Sequence, residues 1–349
     1  MNLTRRGLAA LAAPAFLSAS GGKIRAAVVG TGHGHAVSKI KALRSMPEYE
    51  LVGVCRPFPE EPAAPDVLAG VRSLSLREIL DDASIEMVAI ETAEVDRNLE
   101  YAEQFVHAGR FVHLDKPPGA SLERLRKLLA HAADRKRSVQ MGYQWRYQPA
   151  MQAAVEASRQ GWLGRIYRFR ATIDKLILAD ERRHLAKFRG GMMFSEGCHL
   201  IDRAVAVLGK PRKVTGFLRH DSTTMPDGLA DNTLVVFEYE SAMAEISLSG
   251  FHPHGTPHRY LEIAGTNGSA RVQPYSLPST LTIDLATAAG PYKSGLQTLE
   301  HPAPPGLPYT PEFREFAATI RAGQRPSHSP EHDLVTHETL LRVCGMLEA

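Results

Sequence analysis

Two short segments carry side chains able to move a proton. In Asp115-Lys116-Pro117 a lysine stands two residues beyond the run Phe111–Leu114. In Gly190-Gly191-Met192-Met193-Phe194-Ser195-Glu196-Gly197-Cys198-His199-Leu200-Ile201-Asp202 a histidine stands among polar neighbours. A lysine at the carboxyl end of a parallel strand faces the crevice where such sheets bind ligands. There it can hydrogen-bond a hydroxyl or carbonyl oxygen and pass a proton, and a nearby positive charge would hold its pKa down. If His199 lies on a helix, Ser195 at i−4 and Asp202 at i+3 share its face, while Leu200, Ile201, Val205 and Leu208 supply the buried side. Imidazole is the side chain suited to take and return a proton near neutral pH. Both residues also have a structural alternative: Lys116 can hold a proline-fixed loop, and His199 can be a satisfied core histidine. The double-glycine lead-in and the polar face favour function at His199.

A third segment suits phosphate. Gly30-Thr31-Gly32-His33-Gly34-His35-Ala36 follows the apolar run Ile24–Val29 and opens a helix. Glycines allow a sharp turn and close backbone approach, and the helix N-terminus offers free N–H groups to a pyrophosphate. The third glycine of G-x-G-x-x-G would fall at His35, so the fingerprint is incomplete. At the end of the next strand, where an acid would grip ribose hydroxyls, stands Arg56. A guanidinium there favours NADP over NAD, because it grips a 2′-phosphate that a carboxylate would repel. A surface arginine in a loop turned elsewhere is the alternative.

The elements that must position these residues follow from periodicity. Apolar runs at 24–29, 50–55, 87–91, 111–115 and 138–141 read as buried strands. They alternate with helical stretches at 35–45, around Leu99, Ala102 and Val106, and from Ser121 through Ala132. Strand–helix alternation implies a parallel sheet covered on both faces. After Gly142 one helix (149–160) is followed by strands at 166–173, 213–218, 232–240, 242–249, 260–265 and 269–272. Hairpin signals at Glu240-Ser241 and Thr266-Asn267-Gly268 imply a largely antiparallel sheet open on one face. A proline-rich crossing segment (302–311) and a helical stretch to Leu347 complete the chain. The domains expected are a leader (1–20), a nucleotide-binding domain (21–143) and a substrate and oligomerisation domain (144–349).

The bulk properties exclude other classes. The 349 residues carry a formal charge of +3, too small and too evenly spread for a nucleic-acid protein. Three cysteines and fifteen scattered histidines show no zinc or disulfide spacing, so no metal is expected. No apolar run reaches the ~20 residues needed to span a bilayer. Residues 1–20 have a basic start at Arg5-Arg6, a short apolar stretch and small residues. This layout fits a twin-arginine-type signal and export to the periplasm, with a cytoplasmic chain bearing a chance Arg-Arg pair as the alternative.

Taken together, Gly30-Thr31-Gly32, Asp115-Lys116-Pro117, Tyr143-Gln144-Trp145-Arg146-Tyr147-Gln148-Pro149, Gly161-Trp162-Leu163-Gly164 and Gly191 to Asp202 resemble, in order and spacing, the Gfo/Idh/MocA oxidoreductases. The resemblance covers nearly the whole chain after the leader. It implies an α/β fold: an N-terminal Rossmann domain with a parallel sheet, and a C-terminal α+β domain with a large, mostly antiparallel open sheet used for substrate and homo-oligomer contacts. It implies Lys116 and His199 as the catalytic pair. The dinucleotide, NADP or NAD, would be held by residues 30–35 (Gly30, Thr31, Gly32, His33, Gly34 and His35) with Arg56, Glu91, Thr92, Asp115 and Lys116. Tyr143, Trp145, Arg146, Lys175, Ser195 and Asp202 are the candidate substrate residues, Trp145 offering an apolar face to a sugar ring or filling the domain junction. The reaction implied is hydride transfer at a secondary alcohol of a sugar or cyclitol. A glycoside hydrolase using transient oxidation, or a binding paralogue without turnover, are the alternatives.

The chain departs from the family pattern at three places. Asp115 replaces the commoner glutamate. Glu91-Thr92-Ala93-Glu94 replaces Thr-Pro-Asn, with Asn98 near the place of a histidine. Ser195 stands where many active dehydrogenases carry an acid, and Glu196, about 100° further round a helix, would not replace it without a local distortion.

Overall fold

The computed structural model describes residues 22–347. The leader-like residues, and with them the expected export signal, lie outside the described residues.

Five strands, β1 (Ile24–Val29), β2 (Tyr49–Cys55), β3 (Met87–Ile90), β4 (Phe111–Leu114) and β5 (Val139–Met141), pair in parallel in the order β2-β1-β3-β4-β5. β3 is wholly buried and β1 nearly so, which is why both read as continuous apolar runs. The connecting helices are α1 (Ala36–Ser45), α2 (Pro65–Leu68), α3 (Leu76–Asp81), α4 (Val95–His107) and α5 (Leu122–Asp134). Ser121 caps α5 by accepting the Arg124 amide, and Leu125, Leu128, Leu129 and Ala132 form its buried stripe. α2 and α3 were too short for periodicity to reveal. The Ser75/Glu78 capping box is the local signal for α3. β1 is flanked by β2 on one side and β3 on the other, so the chain reverses direction there. The crevice beyond β1 and β3 is where a doubly wound sheet takes its ligand.

The second unit contains α6 (Pro149–Arg159), β6 (Ile166–Asp174), α7 (Ala179–Leu185), α8 (Cys198–Leu208), β7 (Lys213–Arg219), β8 (Asn232–Glu238), β9 (Met243–Ser249), β10 (Tyr260–Gly265), β11 (Gly268–Val272), β12 (Ser279–Leu285) and β13 (Gly295–His301). Eight strands form one sheet in the order β13-β12-β11-β10-β6-β9-β8-β7. Neighbours are antiparallel except β6 and β9, which run parallel because α7, α8 and the β7–β8 hairpin intervene between them. Phe169, Ile173, Phe237, Ile246 and Ile263 are buried on the covered face. Phe217, Leu234 and Met243 stay exposed, and the register places them together on the other face.

Spacing in the sequence marks strands only as far as Val272, yet the sheet continues through β12 and β13. β12 does alternate, burying Leu281, Ile283 and Leu285. β13 is an edge strand with no fully buried residue, and it gives little pattern to read. The last helical stretch is two helices, α9 (Thr310–Ala322) and α10 (Pro330–Val343), separated at Gly323, whose φ of +62° ends α9. α10 packs on α8. α9 returns to the first sheet, where Phe313, Phe316 and Ala317 join the core of Ile24, Ala26, Val28 and Met87.

Candidate active site

The glycine turn is shaped by what lies under it. Gly30 has φ +96°, and a Cβ there would stand 2.6 Å from the Thr92 backbone nitrogen. A Cβ on Gly32 would stand 2.9 Å from the Ala93 nitrogen and 2.9 Å from Glu61 Oε1. Only glycine allows the turn to cross so close to the end of β3. Gly34 has open space around it. Thr92 is itself fixed by Asn98, which accepts its hydroxyl at 2.6 Å and donates to its carbonyl at 3.2 Å.

The turn's amides already bind a carboxylate. Glu61, from the loop after β2 and buried, accepts the Thr31 N–H at 3.1 Å. The Thr31 hydroxyl donates to the Pro62 carbonyl at 2.7 Å, and Arg56 Nη2 donates to the Glu61 carbonyl at 2.7 Å. Burial pushes the Glu61 pKa up, while the Thr31 and Gly32 amides and Arg56 oppose it. The nest therefore has the chemistry of an anion site, and the Glu61 carboxylate occupies it. Arg56, expected at the ribose end, is exposed and tied to this loop.

Beneath the turn lies a buried charge cluster. Lys39 of α1, fully buried, donates to Asp115 Oδ2 at 2.8 Å and Glu91 Oε1 at 3.0 Å, and stands 2.7 Å from His113 Nε2 and 3.6 Å from Glu312 Oε1. Burial opposes its charge, but Asp115, Glu91 and Glu312 outweigh burial and hold the ammonium well above the usual lysine range. His33 Nδ1 and His35 Nδ1 lie 3.0 Å and 3.1 Å from Asp115 Oδ2. Burial resists ionisation of Asp115, yet His33, Lys39 and His35 hold its pKa well below the carboxylate range. Burial and the neighbouring Asp115 charge push Glu91 the other way, well above it. Burial takes His35 down to about 3, so its ring is neutral at pH 7. His35 Nε2 faces Gln144 Nε2 at 3.1 Å.

Lys116 and His199 reach the same crevice from opposite units. The five residues Met193–Gly197 form a π-helical turn ahead of α8, a distortion that widens the helix and recurs at functional sites. Lys116 Nζ, buried, donates to the Ser195 carbonyl at 2.8 Å. It is thus the backbone of Ser195 that meets the lysine. His199 is buried, and its Nδ1 has no hydrogen-bond partner. Its ring stacks on Trp145 (centroids 4.4 Å, planes 30° apart), and the Tyr143 and His35 centroids lie 6.0 and 6.2 Å away. Burial, then the Lys116 charge, hold the His199 pKa well below its usual value.

Glu196 lies within the π turn. This carboxylate accepts from Lys175 Nζ at 3.0 Å. Burial raises its pKa, but Lys175 and Lys116 prevail and hold it down to about 2. Lys175 is shared with Glu181 as well. Arg146 and Asp202, expected at the substrate pocket, face each other instead. Arg146 Nη2 donates to Asp202 Oδ1 at 2.6 Å and also pairs with Asp333, while Arg203 and His332 take the remaining Asp202 valences. Arg146 Nε and Nη2 and both Asp202 oxygens are thereby engaged within the protein. Beyond Trp145 a cavity of about 320 Å³ is lined by Gln144, Trp145, Gln148, Tyr275, Tyr309 and the proline-rich 303–311 segment. Lys39, Glu61, His113, Tyr275, Tyr309 and Glu312 escape sequence reasoning because no local motif marks them. A lysine on the apolar face of α1 is the one available signal.

Residues 24–143 match the model of an oxidoreductase family with an NAD-binding Rossmann fold, and residues 151–271 match the GFO/IDH/MocA C-terminal domain. The chain is 26% identical over 294 residues to inositol 2-dehydrogenase of Rhizobium meliloti, covering 81% of this chain and 84% of that one. Among solved structures, GenD2 from gentamicin A biosynthesis, in complex with NAD, superposes with a TM-score of 0.76 at 23% identity, covering 99% of this chain and 97% of that one. Aldose-aldose oxidoreductase of Caulobacter crescentus gives 0.76 at 17% identity, covering 93% and 98%. At these identities the two structures speak for the fold.

Proposed function

The chain belongs to the Gfo/Idh/MocA family of NAD-binding oxidoreductases, and from that premise we propose that it moves hydride between a nicotinamide dinucleotide and a secondary alcohol or ketone carbon of a sugar or cyclitol. The observation that carries the proposal is the state of His199. Its Nδ1 is buried and unpartnered, and burial beside Lys116 keeps the ring neutral, so it can accept a proton. In the oxidative direction His199 takes the proton of the substrate hydroxyl; in the reductive direction it returns one. Lys116 leaves the Ser195 carbonyl and holds the same oxygen, polarising it. Glu196 and Lys175 border the site as a fixed ion pair.

Gly30, Thr31, Gly32, His33, Gly34 and His35 would hold the dinucleotide phosphates, with Glu91, Thr92 and Asp115 toward the nicotinamide end and Arg56 toward the adenosine ribose, which favours NADP. The nicotinamide ring supplies the redox chemistry when bound. Tyr143 and Trp145 wall the substrate side, and the stacked Trp145 suits the apolar face of a pyranose or cyclitol ring. The substrate class is supported by relatives named for inositol and aldoses. The exposed Phe217, Leu234 and Met243 support a homo-oligomer through the open sheet face, and the Arg5-Arg6 leader supports export after cofactor loading.

The test is turnover. The purified chain is incubated with NADP⁺ or NAD⁺ and a panel of cyclitols and aldoses, and reduced nicotinamide is followed by absorbance. Reduction with at least one polyol, abolished by His199→Ala, is expected. Failure to bind either nucleotide in calorimetry would overturn the proposal.

A further inference from the structure

A second cavity, of about 530 Å³, opens between α6, α8, the end of β13 and the segment joining α9 to α10. Its wall shares no residue with the glycine turn, with Lys116 and His199, or with the cavity beyond Trp145. Three guanidiniums line it, those of Arg146, Arg159 and Arg203, together with His301, His328 and one acid, Glu156. A volume of this size suits a small ligand, and the wall chemistry says which kind.

Arg146 and Arg203 are buried, at 4% and 2% exposure. One edge of each is fixed by the protein. Arg146 Nε and Nη2 donate to Asp202, and Nη2 also to Asp333. Arg203 Nε donates to Asp202 Oδ2 at 3.0 Å, and its Nη2 to that oxygen and to His328 Nε2 at 2.9 Å. The Nη1 of each has no acceptor among the described residues, and neither is sealed from solvent. Arg159, exposed at the end of α6, donates through Nε to the Ala206 carbonyl at 3.4 Å, which leaves its two Nη groups. A guanidinium has donors only, so each unpaired valence here is an N–H. His301 Nε2 is buried without a partner as well. Burial lowers the His301 pKa, and a neutral imidazole can carry its proton on Nε2 and donate it.

The local charge is positive. Burial opposes the Arg203 charge, and Arg146 and Arg159 add to it, so that even with Asp202 beside it the pKa falls below the ordinary arginine value. Burial, then the Arg146 and Arg203 charges, keep His328 neutral. Burial pushes the Asp333 pKa up, which weakens the answering negative charge. Glu156 stands exposed, and its Oε1 accepts from Gln160 Nε2 at 2.7 Å.

We propose that this cavity binds a tetrahedral oxyanion, a phosphate group carried free or as a phosphomonoester, on the outer edges of Arg146, Arg159 and Arg203 with His301 Nε2. Guanidinium forks match the oxygens of phosphate. Asp202 holds the inner edges of two of them, so those donors are preorganised and lose little freedom on binding. Pro149, Ala153 and Val155 supply an apolar part of the wall, against which the carbon skeleton of an ester can lie. The site goes beyond the redox proposal and its binding test needs neither nucleotide nor turnover.

The full chain, in phosphate-free buffer, is titrated by calorimetry with inorganic phosphate and separately with glucose 6-phosphate. One saturable equivalent is expected. Tighter binding of glucose 6-phosphate assigns the occupant as a phosphomonoester; equal or weaker binding assigns the free oxyanion. Arg159→Glu weakens binding about tenfold or more, and His301→Ala about fivefold. Both residues keep accessible surface, and each variant is checked for an unchanged circular dichroism spectrum and melt. Arg56→Ala, at the glycine turn, leaves the phosphate affinity unchanged. Absence of saturable binding by the folded wild-type chain overturns the proposal. So does binding that both cavity substitutions leave intact, or binding lost in Arg56→Ala instead. Because the readout is phosphate alone, these results stand apart from whether NAD(P) binds.

Discussion

The Glu61 carboxylate accepts the Thr31 amide at 3.1 Å, inside the turn whose N–H groups a pyrophosphate would use. A nucleotide must displace it. A charge-assisted hydrogen bond is worth about 1.5–3 kcal/mol, and each ~1.4 kcal/mol is about tenfold in affinity. Glu61→Ala is therefore expected to tighten NAD(P) binding about tenfold in calorimetry. Glu61→Gln, which keeps an acceptor without the charge, should fall between. Weaker binding in Glu61→Ala would instead make the loop part of the nucleotide's own support.

His199→Ala should lower kcat by about 10²–10⁴, the usual contribution of a general base, while the nucleotide Kd stays unchanged. Lys116→Met should do the same without altering the stacking of Trp145 on His199. Pre-steady-state and equilibrium binding measurements on one preparation separate the two effects. A lost Kd with intact single-turnover chemistry would assign both residues to the cofactor.

The architecture was legible because its signals are local. β1 reads from one buried run, and the cap at Ser121 and stripe of α5 read from four positions. β12 and β13 were not, since β13 buries too little to leave a pattern. The site divides the same way. Lys116 and His199 sit in motifs, but Lys39, Glu312 and Glu61 acquire their roles only from tertiary neighbours: Lys39 Nζ meets Glu312 across 3.6 Å between α1 and α9, from opposite ends of the chain. Arg146 and Asp202 lie in motif segments too, yet their partner Asp333 comes from α10, which no spacing rule connects to them.

Glu312 predicts a pH dependence. Burial, and Asp115 after the opposing Lys39, push its pKa from the ordinary 4.5 up to about 7. The folded chain thus holds this proton more tightly than the unfolded chain does. Its contribution to stability is complete below about pH 4.5, declines as pH rises, and is lost above about pH 7. At ~1.4 kcal/mol per pKa unit the loss is on the order of 3 kcal/mol. Chemical denaturation of Glu312→Gln across pH 4.5 to 7 should show a flatter profile than wild type. An unchanged slope would place the proton elsewhere in the Lys39 cluster.

Arg56 is exposed and bonded only to a backbone carbonyl at 2.7 Å, so it can turn to a 2′-phosphate at small cost. Arg56→Ala should weaken NADP binding about 10–100-fold, as the loss of a charge-assisted contact implies, and leave NAD within about twofold. Paired titrations of both nucleotides against both proteins decide it; equal loss for each would reduce Arg56 to a brace for the Glu61 loop.

Arg146 separates a structural role from a substrate role. Its guanidinium is buried between Asp202 and Asp333. Removing it leaves two carboxylates facing each other with only Arg203 and His332 to answer them. Breaking a buried pair by deleting one partner costs about 3–5 kcal/mol, so Arg146→Met should lower the unfolding free energy by that much, read from denaturant titration as a lower midpoint at unchanged m. Arg146→Lys should recover little, because an ammonium cannot span both carboxylates as the planar fork does. Among molecules still folded, KM should be unchanged, since Nε and Nη2 of Arg146 are held by Asp202 and Asp333. A raised KM with unchanged stability would return Arg146 to the substrate.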